Sequence, residues 1–317
     1  MKKYFQYIVI LLDDTSVSYC HADNPLTEKR LISLEVLREA ILFSMKQNLM
    51  IQFVYPEYEL PKEYNDLIET IDHIKIGKDV LVYDSVPTNV ERKNVVLRLT
   101  IADFLAKQYD IALLLPKVTR LNISITDIEN FKDELIEDYK AALEMLNSVL
   151  LNIYKGGNQP EINILTDRLK LNEMHNCEAG VENITLAPNG KFYLCPAFYY
   201  DEQMGISTRM NHKTRDASRS VGDLEVGINI PNKQLLELER APLCRICDAY
   251  HCNRCIWLNQ KLTWDNNTPS RQQCVMAHIE RNASRDLGNK LKDAGFVLEN
   301  EIKEINYLDP FDVKEEF

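Results

Sequence analysis

Four cysteines fall within twelve residues in the stretch CRICDAYHCNRC, Cys244 to Cys255. No other feature constrains this chain so strongly, because thiols set that closely are placed to bond to one another or to a metal. Seven of the eight cysteines lie between Cys177 and Cys274, and only Cys20 stands outside. In a reducing compartment such a group holds metal more often than it forms disulfides. The opening stretch MKKYFQYIVILLDD imitates a secretory leader with two lysines and an apolar run. That run is short, and it meets Asp13 and Asp14 where small cleavage-site residues belong. It reads as a buried first strand, and the protein as cytoplasmic.

At 317 residues, 45% of them hydrophobic, the chain can bury a full core in two domains or one large one. A net charge of −11 argues against nucleic acid as a partner, since phosphate binding needs clustered Lys and Arg. No apolar run is long enough to span a bilayer, so no membrane association is expected.

Along residues 1–165 strand-like and helix-like segments alternate. YFQYIVILL (4–12), MIQFVY (50–55), HIKI (73–76), VLVY (80–83), IALLLP (111–116) and EINILT (161–166) read as strands. Ser33 caps a helix with an apolar stripe at Leu34, Leu37, Ile41 and Met45. Further helices are expected over 60–71, over 97–107, and from Thr126 to Tyr154, where KGG stops the last. This alternation implies a parallel α/β sheet, open or curved into part of a barrel. Beyond about residue 170 the texture changes. ITLAPNGKFYLCP (184–196) signals a hairpin around Asn189-Gly190. Residues 201–220 are polar and basic (Arg209, His212, Lys213, Arg215, Arg219), 232–240 and 277–295 read as helical, and YLDPFDVKEEF ends the sequence as an acidic tail.

The cysteines fall into three spacings: Cys177-x12-Gly190-x4-Cys195, then Cys244-x2-Cys247-x4-Cys252-x2-Cys255, then Cys274. Paired CxxC units suit a soft metal, because each short loop turns both thiolates toward one centre. Two units separated by four residues are too close for an ordinary zinc ribbon, where a longer loop parts the knuckles. Neighbouring cysteines serving different clusters are an arrangement found in ferredoxins.

This order of cysteines resembles the SPASM domain at the C-terminus of radical SAM enzymes that modify ribosomal peptides. VGDLEVG (221–227) is similar to the turn that often separates the two cysteine groups there. The resemblance implies two auxiliary [4Fe–4S] clusters. By position, Cys244, Cys247, Cys252 and Cys274 would hold one, and Cys177, Cys195 and Cys255 the other. The middle group of the family is spaced slightly wider. His175, Asp248 and His251 stand where a missing ligand could come from, and an open iron for a substrate thiolate is the alternative.

Radical SAM chemistry needs the triplet C-x3-C-x2-C in the loop after the first strand. Here that loop, DDTSVSYCHADNP (13–25), holds Cys20 alone, and no triplet occurs in residues 1–176. The pattern is similar to the CXXX repeat peptide maturases and related pseudo-radical-SAM proteins. The expected fold is therefore α/β: a degenerate radical-SAM-like domain (a partial β/α barrel) over 1–169, a small SPASM-like cysteine-rich domain over 170–280, and a C-terminal helix and tail over 281–317. The resemblance implies maturation of a cysteine-repeat ribosomal peptide without radical SAM chemistry of its own, so no SAM is expected. The partners it implies are the cysteine-rich precursor peptide and a separate modifying enzyme.

Three other readings stand beside it: a non-catalytic peptide-binding module, a zinc scaffold on Cys244, Cys247, Cys252 and Cys274, and a disulfide protein. The odd thiol count in the C-terminal group speaks against the last. Trp257 and Trp264 are expected to pack around the cluster loop, and the carboxylates near Glu134, Glu137 and Asp138 to form a solvated helix face. No dinucleotide-binding, Walker or zinc-protease motif occurs.

Overall fold

The structure, a computed structural model, describes residues 4–90, 94–171, 174, 177–205, 218–252, 254–298 and 300. In chain order its main elements are β1 (Tyr7–Leu11), α1 (Leu34–Gln47), β2 (Met50–Val54), α2 (Lys62–Ile68), β3 (His73–Ile76), β4 (Val80–Tyr83) and β5 (Asn94–Leu99). Then come α3 (Ile101–Ala106), α4 (Gln108–Leu114), β6 (Arg120–Ile125), α5 (Ile136–Lys155), β7 (Glu161–Ile162), β8 (Asn183–Leu186), β9 (Phe192–Tyr193) and α6 (Pro196–Gln203). The last are β10 (Gly222–Asp223), β11 (Gly227–Ile228), α7 (Ile256–Thr263) and α8 (Arg271–Asp293). The architecture is α/β with mostly parallel strands.

By its contacts the chain divides into two units, Met1–Val82 with Glu178–Arg240, and Tyr83–Cys177 with Ala241–Phe317. In the first, β1 lies between β2 and β8 and runs parallel to both, with Tyr7 opposite Met50 on one side and Asn183 on the other. A strand with neighbours on both sides is apolar throughout, and Ile8, Ile10 and Leu11 are fully buried. The Ser33 hydroxyl accepts from the Val36 N–H to start α1, and Asn48, at φ 54°, ends it. That helix sets Leu37, Ala40 and Ile41 on a core with Phe53 and Ile184. β9 returns antiparallel to β8 through Asn189-Gly190, where Gly190 adopts φ 77°.

In the second unit β5, β6 and β7 are parallel, and α5 and α8 pack with them around a separate core that includes Leu97, Ile123, Leu143, Leu146 and Ile279. No helix among the described residues is long and apolar enough to cross a membrane.

Several local expectations are corrected. IALLLP is the end of α4 and a 3-10 turn, not a strand. A short apolar run carries no period, and here Ile111, Leu114 and Leu115 are buried on a helical spacing. Leu97 to Leu99 belong to β5, and the helix expected there begins only at Ile101, after the Thr100 N-cap. The alternating RLNISI (120–125) is β6. The helix expected from Thr126 begins as two 3-10 turns and becomes α-helical only at Ile136. EINILT keeps two strand residues, and 232–240 forms two 3-10 turns. The acidic tail, and Arg209, His212, Lys213 and Arg215 of the basic loop, lie outside the described residues.

Candidate metal centre

In the second unit the stretch from Ala241 folds back as a 3-10 turn (Cys244–Ile246) and an irregular loop, and then enters α7. α8 supplies the opposite wall. Its N-terminus is a full capping box: the Ser270 hydroxyl accepts from the Gln273 N–H at 3.3 Å, and the Gln273 side chain accepts from the Ser270 N–H at 2.7 Å. This fixes the first turn, and with it Cys274. His278 follows one turn later on the same face.

Between loop and helix lies a cavity of about 360 Å³. Cys244, Cys247, Cys252 and Cys274 all line it, together with Arg254 and His278, and an apolar rim that includes Leu243 and Ile246. The sulfurs feel one another. Burial, and then the neighbouring Cys252, Cys244 and Cys247, push the Cys274 thiol up to about 12. Burial also raises Cys244, while the positive charge of Arg254 acts against it. Two backbone amides point at sulfur: Ala249 N–H donates to Cys247 Sγ and Arg254 N–H to Cys252 Sγ, each at 3.3 Å. The Cys247 sulfur also lies 3.5 Å from His278 Nε2.

The loop is held by buried charge. Arg168 and Glu280 pair at 2.6 Å, Tyr139 donates to the same carboxylate at 2.7 Å, and Arg168 donates to the His251 carbonyl at 3.3 Å. Asp248 is 1% exposed and pairs with Arg281 at 2.7 Å and Arg285 at 3.3 Å. His251, at φ 56°, turns the chain just before Cys252, and its Nε2 lies 3.4 Å from Asp167. Asp248 and His251 therefore hold the loop in place and do not line the cavity. His175 lies outside the described residues.

The other three cysteines are placed differently. Cys255 is buried in the apolar core of the second unit, just before α7. Cys177 is exposed at the end of that unit's first segment, and Cys195 is buried in the first unit, at the N-cap of α6. Trp257 packs on the core of the second unit with Lys261 over its ring, and Trp264 ends α7 at φ 68°, 41% exposed. Neither lines the cavity.

The loop after β1, in the first unit, is tied down by side chains. Arg30 pairs with Asp14 at 2.8 Å and donates to Tyr199 at 2.6 Å and Gln203 at 3.0 Å; Tyr199 in turn donates to Asp14. Asn24 donates to the carbonyls of Asp14 and Ser16 at 2.7 and 2.8 Å. Cys20, half-buried, lies 3.9 Å from the Ser18 hydroxyl.

Arg254 and His278 are the cavity residues that sequence reasoning missed. The signal for His278 was its position four residues after Cys274, which puts both on one face of a helix. Arg254 gave none, since a basic residue inside CNRC is as easily a solvated one.

Among the described residues no three Cys, His, Asp or Glu side chains close on a single point as ligands of one ion would. Four thiols lining one cavity are nevertheless a donor set of the soft kind that a thiolate-bound group such as an iron–sulfur cluster takes.

No family model matches the chain, and no curated protein matches it. Solved structures that are similar include two of one enzyme. One, of histidine-tagged anSMEcpe with bound AdoMet, is 12% identical with a TM-score of 0.57, covering 92% of this chain and 96% of its own. The other, of native anSMEcpe with bound AdoMet, is 13% identical with a TM-score of 0.50, covering 92% and 100%. Both are of an anaerobic sulfatase-maturing enzyme, a radical SAM/SPASM enzyme. This chain thus has a radical-SAM-like α/β fold.

Proposed function

We propose that this chain is an iron–sulfur protein that takes part in maturing a cysteine-rich ribosomal peptide, on a radical-SAM-like fold that does not itself start radical chemistry. The observation that carries the reading is the gathering of Cys244, Cys247, Cys252 and Cys274 around one cavity. The likeness to a maturase fold supports it. So does the loop after β1, whose single cysteine cannot replace the three a SAM-cleaving cluster needs.

In this reading Cys244, Cys247, Cys252 and Cys274 hold one [4Fe–4S] cluster. Bound clusters supply one-electron transfer. The chain's own residues do the rest. The amides of Ala249 and Arg254 hydrogen-bond to ligand sulfurs, which helps set a cluster's potential. The exposed apolar side chains of Leu243 and Ile246 beside the cavity offer a surface against which a peptide can sit. A separate modifying enzyme completes the reaction.

The test is anaerobic purification followed by iron, sulfide and zinc analysis. The expected sample is brown, and Cys247→Ala loses about one cluster's iron, because ligand loss removes metal and the folding energy that comes with it. A colourless, folded protein carrying zinc on the same thiols overturns the reading in favour of a zinc scaffold. Incubation with S-adenosylmethionine and reductant is expected to give no 5′-deoxyadenosine; its appearance overturns the claim that the fold lacks that chemistry.

A further inference from the structure

Arg254 lies inside the cysteine-rich loop, 1% exposed, and lines the same cavity as the four thiols. Its guanidinium is fixed at one end by Asn267, which accepts a hydrogen bond from Nη2 at 2.5 Å, and its positive charge acts on the Cys244 thiol against the effect of burial. Its backbone N–H donates to the Cys252 sulfur. One residue therefore addresses two of the four thiols, by a charge and by a dipole. Burying a guanidinium is costly unless a matching negative charge faces it. Metal-bound thiolates in the cavity that Arg254 lines would supply such a charge.

We propose that Arg254 is a positioning residue that sets the reduction potential of the group bound by Cys244, Cys247, Cys252 and Cys274, making it easier to reduce. This rests on the iron–sulfur reading of that site. A cluster ligated by four thiolates is negatively charged in both states and gains one further negative charge when it takes up an electron. A fixed positive charge against one ligand sulfur stabilises the reduced state more than the oxidised one. Arginine suits the role because it stays charged at any working pH, and here Asn267 holds its guanidinium in place.

The experiment is anaerobic redox titration of the reconstituted full chain, with mediator dyes as electron donor and visible absorbance and EPR as readouts. It compares the wild type with Arg254→Gln, Arg254→Lys and Asn267→Ala. Arg254→Gln is expected to lower the reduced-to-oxidised ratio at fixed poise about tenfold, which is about 59 mV to the negative for a one-electron couple. Arg254→Lys, which keeps the charge, recovers most of that shift. Asn267→Ala, which only frees the guanidinium, shifts the potential in the same direction by less. It carries the test if Arg254→Gln does not hold its iron. Unchanged potentials in variants with full iron content overturn the inference and leave the cluster intact. A wild type that takes up no iron and sulfide overturns the cluster and this inference with it.

Discussion

The Arg168 guanidinium lies 2.6 Å from the Glu280 carboxylate, with side chains 0% and 1% exposed. The pair joins the turn after β7 to the middle of α8, and Arg168 also donates to the His251 carbonyl of the cysteine loop. Removing one partner leaves the other charge buried and unmatched, so Arg168→Met is expected to destabilise the protein by about 3–5 kcal/mol. Replacing both with Met and Leu should cost less than Arg168→Met alone. Urea unfolding of the three proteins checks this, and a double variant weaker than the single would show that the charges stabilise the fold beyond their burial cost.

The capping box offers a second check with an internal control. Ser270→Ala removes the cap of the helix that carries Cys274, and Ser33→Ala removes the cap of α1. Each should cost about 1 kcal/mol. Only Ser270→Ala is expected to reduce iron retention under chelator challenge, because only its first turn holds a cavity cysteine. Equal iron loss from both would mean that general stability, and not the geometry of α8, governs the site.

Gly222 opens the β10–β11 hairpin at φ 130°, and a Cβ there would sit 1.9 Å from the Gly227 carbonyl oxygen. Neither space nor backbone conformation admits alanine. Gly222→Ala should therefore lower the melting temperature by several degrees, whereas Gly157→Ala, whose Cβ meets no atom within 4 Å, should cost only its backbone strain at φ 88°. Comparing the two melting curves separates the clash from the strain.

Alkaline stability follows from the buried tyrosines. Tyr154 is pushed up from 10 to about 12, first by burial and then by Glu161 and Asp167. Its contribution is whole below pH 10, where neither folded nor unfolded phenol is ionised. It drains away between pH 10 and 12, where only the unfolded phenol gives up its proton. Tyr154→Phe should accordingly show a shallower fall of melting temperature across that interval. Identical slopes would place the effect in other tyrosines.

The sequence was most legible where local chemistry decides the outcome. Ser33 as a cap, Asn189-Gly190 as a turn, and HIKI and VLVY as strands stand where they were expected, because a cap or a strand-length β-branched run has few alternatives. The resemblance grouped Cys244, Cys247, Cys252 and Cys274, and these four line one cavity. What escaped depended on tertiary packing. IALLLP becomes helical because of what surrounds it, and β6 was overlooked although its alternation matches its burial. The role of Arg254 was unreadable because nothing in a string of letters says that an arginine is buried.

Each unit is assembled from two separated stretches of chain, and this dictates an order of events during synthesis. β1 is made before its partner β8, which emerges only after all of β5 to β7 and α5 have been made. One flank of an apolar strand consequently stays without its neighbour throughout that interval, an invitation to mispairing that slow, non-local sheets carry. The cavity that Cys274 helps to line is likewise complete only once α8 has been made.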